Sequence, residues 1–341
     1  MSKRYLSLIV GVSIWLSFAV PSASPQEMFY KGKTIRIVVG FAPRGGFDTY
    51  AQVIGRHMGK HIPGNPTIYV QNMPGDGSMI AANYMYNEAS PDGLTIGSWL
   101  ERLVMRHVLG REGIRFDPRK FEWIGSALRG TPVCVLTKAS GITSIEKWIM
   151  SNKPIKLGGV GPDIDTDDIP KILKASLGLP IELVSGYKGM QGVRLAAEGG
   201  EVAGGCGEWE SIKVTWRKAL DSGEVKIVLQ AIPKSHPELS NIPLAVNFAK
   251  TEEARTLIQA GIHDQAAIRY PYVLPPATPK DRVRLLRQAF TDTLKDKEFL
   301  AEAEKFKMGI DPLTGEEVEN IIVGLFKLDP AAVAKLKETL K

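Results

Sequence analysis

Two glycine-rich stretches carry the clearest chemical signal: Phe41-Ala42-Pro43-Arg44-Gly45-Gly46-Phe47-Asp48 and Asn72-Met73-Pro74-Gly75-Asp76-Gly77-Ser78. Each follows an apolar run that reads as a strand, at 35–39 and 67–70, and each opens a run with helical periodicity. Glycines there let a ligand approach the main chain closely. The first N–H groups of the helix that follows are unsatisfied and lie at its positive end. A carboxylate suits such a cradle as a phosphate does elsewhere. Arg44, Thr49 and Ser78 add side-chain donors.

Catalytic patterns are weaker. The chain has no G-x-S-x-G elbow, no P-loop and no H-E-x-x-H. His57 and His61 have the i,i+4 spacing of a helical metal clamp, but Gly59 and Pro63 end that helix and nothing nearby completes a ligand set. Gly159-Val160-Gly161 begins like a dinucleotide loop and lacks the third glycine. Asp163, Asp165, Asp167 and Asp168 suggest a calcium loop, without its glycine or terminal glutamate in place; they read better as capping acids in a polar loop. Lys188 and Cys206 are the remaining candidate nucleophiles, and no histidine is placed by sequence to activate Cys206. The reading is therefore of a non-enzyme, with no cofactor and no metal. Cys134 and Cys206 form either one disulfide or two buried thiols.

The elements that position these loops alternate. A strand, a glycine loop and a helix recur through the first two-thirds of the chain. Further strands fall at 94–97, 132–136, 155–158, 181–184, 202–208 and 225–230. Helices fall at 79–87 with Ser78 as N-cap, from Thr143 with a capping box to Glu146, at 169–177 and at 191–198. This alternation predicts an α/β architecture with mainly parallel sheets. Later, 268–274 reads as a strand whose Pro271 suggests an edge position. Thr278-Pro279 opens a helix, and Thr314 with Glu317 forms a capping box for another.

The 341 residues suit about two domains. With 44% hydrophobic residues the chain can bury a sizeable core, which excludes global disorder. The charge of +6 is scattered, and no basic patch with interleaved aromatics suggests nucleic acid. Lys3 and Arg4, an apolar stretch at 6–20 and Pro21-Ser22-Ala23-Ser24-Pro25 have the layout of a cleaved signal peptide, with the cut between Ser22 and Pro25. Fifteen apolar residues rise about 22 Å, short of a bilayer core of about 30 Å. Export to the periplasm is the expectation. The mature chain then carries 41 basic and 37 acidic side chains, or +4.

Taken in order, the motifs resemble those of the substrate-binding receptors of tripartite tricarboxylate transporters, the Bug-type receptors. The I-R strand and F-x-x-G-G-x-x-D motif is Ile35-Arg36 through Phe41–Asp48; V-x-N-x-P-G-A-G-G is Val70 to Ser78; P-D-G-Y-T-L is Pro91-Asp92-Gly93-Leu94-Thr95-Ile96. Tyr187-Lys188-Gly189 with Gly199-Gly200-Glu201-Val202, Leu239 to Pro243, and Pro276-Ala277-Thr278-Pro279 continue the series. The resemblance covers the mature chain. It implies a two-lobed, type II-like periplasmic binding fold, each lobe a mainly parallel sheet flanked by helices, with the ligand in the cleft between them. Lobe one would comprise 26–128 and 238–341, and lobe two 129–237, with hinge crossings near Leu128 and near 233–239.

The resemblance further implies a receptor for a small organic carboxylate that delivers it to integral-membrane transporter subunits. A periplasmic sensor is the alternative, and a secreted α/β enzyme is a second. The chain would act as a monomer. The implied ligand residues are Ala42, Arg44, Gly45, Gly46, Asp48, Gly77 and Ser78 from lobe one. Lobe two would add Gly161, Asp163, Thr166, Tyr187, Lys188, Gly189, Cys206 and Glu208. Three features depart from the family. Arg44 replaces a small residue or proline, the loop 161–166 is more acidic, and Cys206-Gly207-Glu208-Trp209 replaces apolar residues followed by Asp. Acids facing the cleft favour a ligand bearing an amine or repel a second carboxylate. Aliphatic mono- and dicarboxylates, aromatic acids, and amino-acid-like or nicotinate-like molecules all remain open.

Overall fold

The computed structural model describes residues 29–341; the predicted signal segment lies outside them. Among the described residues eleven strands form two separate sheets. They are β1 (Thr34–Val39), β2 (Thr67–Asn72), β3 (Thr95–Ser98), β4 (Glu122–Leu128), β5 (Pro132–Thr137), β6 (Ile155–Gly158), β7 (Ile181–Val184), β8 (Gly204–Glu208), β9 (Val225–Gln230), β10 (Arg269–Leu274) and β11 (Leu313–Thr314). The first sheet runs β11-β4-β10-β3-β1-β2 and the second β7-β6-β8-β5-β9. In each, three parallel strands meet one antiparallel strand: β10 beside β3, and β5 beside β8. That inserted strand comes from the far side of a lobe crossing, so both lobes share one plan.

The parallel strands form where apolar residues run together. Ile35, Ile37, Val38 and Val39 of β1 are fully buried because helices cover both faces of the sheet. Each such side chain contributes about 1.5–3 kcal/mol on burial. On one face lies the helix Gly46–Met58, whose Tyr50, Val53, Ile54 and Met58 face the core as the periodicity predicts. On the other lie Met79–Asn87 and a cluster of Trp99, Phe116, Phe121 and Trp123, with the two indole centroids 5.3 Å apart.

The second sheet is stapled at its centre. Cys134 and Cys206 sit directly opposite each other on β5 and β8 and form a disulfide, with Cα atoms 4.0 Å apart. Gly204 and Gly205 beside Cys206 let β6 and β5 close on β8: a Cβ on Gly204 would collide with the Val135 carbonyl.

Several local expectations shift. Pro271 lies in an interior strand, not at an edge, because β10 is inserted between β3 and β4. The missing N–H is tolerated because β10 touches β3 only at Val273–Gly97 and is bulged beside it. The helix after β6 begins at Asp165, so its first turn carries the acids assigned to a loop. Ser144, not Thr143, caps the helix Ile145–Ile149. Ser78 does not cap Met79–Asn87: its backbone is left-handed and its hydroxyl accepts from the Leu100 N–H at 2.8 Å. The Thr314–Glu317 capping box is present in both directions.

The expected return crossing at 233–239 also sits differently. Gln230, fully buried at the end of β9, donates to the Leu239 and Ile242 carbonyls and accepts from the His236 N–H. These bonds hold 235–243 against the second sheet. The helices Glu252–Ile258 and Gln259–His263, the latter a π-helix, pack on the helix Asp165–Leu177. The C-terminal helix Pro330–Thr339 joins them, with Leu336 and Ile172 both closing on Gly261. The chain re-enters the first sheet at Arg269, paired with Leu128.

Candidate functional site

In each lobe one buried carboxylate shapes the loops that follow the strands. Asp48, in the first turn of Gly46–Met58, accepts from the Arg44 N–H at 2.8 Å and from the Asn72 amide at 2.9 Å; Asn72 also donates to the Phe41 carbonyl. One acid thereby ties the loop after β1 to the end of β2 and holds Arg44 at a φ of 70°. Asp167 does the same in the second lobe. It accepts from the Gly161 N–H at 2.9 Å and from the Ser185 hydroxyl at the end of β7. Thr166 completes that loop by accepting from the Val160 N–H. Asp48, Thr166 and Ser78 are thus buried organisers of their loops, and Ala42, Gly45, Gly46 and Gly77 present exposed main chain.

Between the lobes lies a charged junction. Arg102 and Arg106, on the helix Arg102–Val108 after β3, reach across to Asp168 at 2.9 Å and Asp163 at 2.8 Å. Arg106 also borders Gly77, so Gly77 and Asp163 meet through this side chain. Arg269, at the crossing, faces Glu208 at 3.6 Å, Glu101 at 3.8 Å and Asp165 at 3.9 Å. All three separations exceed hydrogen-bonding distance. Glu208 at the end of β8 accepts from the Thr131 N–H at 2.8 Å, which fixes it against the outgoing crossing.

Arg269 and Glu208 line a cavity of about 520 Å³ bounded by Gly46, Thr49 and Tyr50 on one side, Glu210 and Ser211 on the other, and the 306–311 loop. Its size fits a small organic ligand. Tyr270 forms one wall. It stacks on Tyr50 at 3.9 Å, sits edge-on to Phe47, and holds a φ of 54° that aromatic residues seldom adopt. Such strain persists only where surrounding contacts impose it, and it clusters at functional sites.

The remaining candidate residues fall elsewhere. The Tyr187 hydroxyl donates to Glu201 at 2.6 Å, and Lys188 is exposed beside Gly189, which opens the helix Gly189–Glu198. Cys206 is fully buried in the disulfide, so its thiol neither faces a ligand nor serves as a nucleophile. Arg44 is exposed. His57, Asp296 and Glu298 do converge, which the sequence did not suggest because the histidine lies 239 positions from Asp296 and 241 from Glu298. Lys60 occupies their midst, pairing with Asp296 at 2.9 Å and Glu298 at 2.7 Å, and His57 bonds Glu302. Arg269 and Glu101 were the residues missed; Asp165 lies in the acidic loop 161–166 from which lobe two was expected to contribute, and an arginine at the head of an apolar strand was the available sign for Arg269.

Burial governs the acids at the junction. It pushes Glu208 from its ordinary 4.5 up to about 7 and Asp168 up to about 6, against the opposing pull of Arg269 and Arg102 respectively. Burial raises Glu101 likewise. In these cases the folded protein binds more protons than the unfolded chain, so the stability is present at low pH and is lost as pH rises. For Glu208 the loss runs from about 4.5 to about 7. His263 opposes this, since burial lowers it to about 4. Calorimetry of wild type and Glu208→Gln between pH 5 and 7.5 isolates the carboxylate: the variant loses less stability over that interval. Equal losses would refute the assignment.

This architecture, two lobes of like strand order joined by paired crossings around a charged cavity, is that of the two-lobed periplasmic solute-binding proteins. Among solved structures it is similar to a TctC solute binding protein from Polaromonas, with a TM-score of 0.72 at 15% identity, over 91% of this chain and 98% of that one. It is also similar to the periplasmic binding protein BugD (TM-score 0.60, 18% identity, 91% and 98% covered). The R. palustris protein Rpa4515 with adipate gives 0.61 at 18% identity, over 90% and 97%. The sequence matches no protein-family model and no curated protein. No helix among the described residues is long and apolar enough to cross a membrane.

Proposed function

We propose that this protein is an exported, non-catalytic receptor that binds a small organic carboxylate between its lobes and delivers it to membrane transporter subunits. The observation that carries the reading is the cavity between the lobes, which Arg269 lines with Gly46, Thr49 and Tyr50 while, among the described residues, its guanidinium has carboxylates only at 3.6–3.9 Å. A carboxylate there gains charge-assisted hydrogen bonds. Solved relatives in fold are solute-binding proteins, one of them holding adipate. We place lobe two at 132–267 with the C-terminal helix packed on it, and the hinge at 129–131 and near Arg269. Ligand binding would close the cleft about these two crossings.

A thermal-shift screen of residues 26–341 against organic acids, followed by calorimetric titration of each hit, tests this. A ligand at about 100 times its Kd adds about 2.7 kcal/mol of stability. Stoichiometric binding without turnover is expected. Turnover of a bound acid would replace the receptor with an enzyme.

A further inference from the structure

We propose that the first lobe binds a transition-metal ion, of the class of Zn2+, Cu2+ or Ni2+, where the end of the helix Gly46–Met58 meets the start of the helix Lys297–Lys305. The sequence left His57 and His61 without further ligands, and the fold supplies them. Gly46–Met58 runs on into the 3-10 turn Gly59–His61, so Gly59 does not part the two histidines. Asp296, the N-cap of Lys297–Lys305, comes up beside them with Glu298. One ring nitrogen of His57 and one oxygen from each acid lie within 4.8 Å of one another. His61 Nε2 is 3.5 Å from Asp296 Oδ2 and has no hydrogen-bond partner among the described residues. Zinc bonds of about 2.0–2.2 Å set tetrahedral neighbours about 3.3–3.6 Å apart, so that separation is one edge of a zinc site. Glu302 reaches His57 Nε2 at 2.6 Å, the kind of carboxylate partner that orients a ligand histidine.

Two imidazoles with carboxylates make a donor set for borderline metals, whereas Ca2+ and Mg2+ take oxygen ligands. The cluster holds a cation of its own: Lys60 Nζ stands 2.9 Å from Asp296 and 2.7 Å from Glu298. That ammonium is a point charge on a flexible stem, and the side chain is 38% exposed. It can turn out to water when a doubly charged ion takes its place. Asp296 keeps its position through the exchange, because the Glu298 and Phe299 N–H groups hold Oδ1 at 2.9 and 3.0 Å and leave Oδ2 toward His61. None of these residues lines the cavity between the lobes, so this site stands independently of the receptor reading.

Calorimetric titration of zinc chloride into the tag-free, metal-stripped protein, residues 26–341, at pH 7.5 tests the site. The expected result is one Zn2+ per chain with a Kd of about 10 µM or below, tighter binding of Cu2+, and none of Ca2+ or Mg2+. The double variant His57→Gln, His61→Gln should bind Zn2+ about 100-fold more weakly. Lys60→Met removes the competing cation and should tighten binding about tenfold. Thermal unfolding separates loss of the site from loss of the fold: the double variant should keep the metal-free Tm to within a few degrees and lose the rise that Zn2+ gives the wild type. No stoichiometric Zn2+ binding by the wild type overturns the proposal, whatever Lys60→Met does. Full affinity in the double variant, unchanged or weaker affinity in Lys60→Met, or Mg2+ bound as tightly as Zn2+ also overturns it.

Discussion

Replacing both Cys134 and Cys206 by alanine lowers the unfolding free energy by about 4 kcal/mol. The cysteines are 72 residues apart in sequence, so the bond closes a long loop and removes much of the unfolded chain's freedom. Its effect is chiefly on the unfolded state, and alanine leaves no buried hydroxyl where each sulfur was fully enclosed. Guanidinium denaturation of the variant, and of wild type in dithiothreitol, measures the loss; the two should agree within about 1 kcal/mol. Two free thiols titrating in the natively folded, air-exposed protein would show that no bond forms. A loss under about 1 kcal/mol would show that it does not constrain the chain. Since the bond joins β5 to β8, both within the second sheet, ligand affinity should survive its removal.

The second large effect is expected at Arg269. Arg269→Met removes the guanidinium that lies within 4 Å of Glu101, Asp165 and Glu208. Deleting one partner of a buried charge group typically costs 3–5 kcal/mol, because the others stay buried without compensation. The side chain is one-quarter exposed, so the lower end, about 3 kcal/mol, is expected near pH 8. The cost should shrink toward pH 5, where burial has already raised the affinity of Glu208 and Glu101 for protons. Carboxylate binding should fall about 100-fold, the equivalent of about 2.7 kcal/mol. Arg269→Lys keeps the charge and loses the planar fork. It should recover most of the stability and only part of the affinity. Urea unfolding at both pH values, with titration of one ligand into all three proteins, reads these effects. Full affinity in Arg269→Met would remove the anion from this corner of the cavity.

Read from sequence, the loops owed their legibility to local rules. Gly45-Gly46 and Gly75-Asp76-Gly77 sit between an apolar run and a helical one, and both features depend only on neighbours within a turn or two. For the same reason the strands at 155–158 and 225–230 and the helix 79–87 agree with the structure to the residue. Departures came where distant chain decides. Pro271 signals an edge until β4 and β3 flank its strand, and Ser78 is an apt N-cap until the Leu100 N–H claims its hydroxyl. Asp48 and Thr166 have the right types for ligand contact, yet they are buried in holding the loops that carry it.

What this sequence determined by itself was the alternation of elements, the two glycine cradles and the class of fold that motifs in this order imply. Their physical basis is short-range: side-chain periodicity, turn chemistry and the capping of helix ends. Only the tertiary structure decided that Cys134 meets Cys206, that 252–267 and the C-terminal helix pack on the second sheet's side, and that Arg269 stands among three carboxylates. Each of those joins residues far apart in the chain, with 61 to 168 positions between Arg269 and its partners. Such contacts arise when two sheets bury their apolar faces, and the charges are then set by where the backbone has brought them.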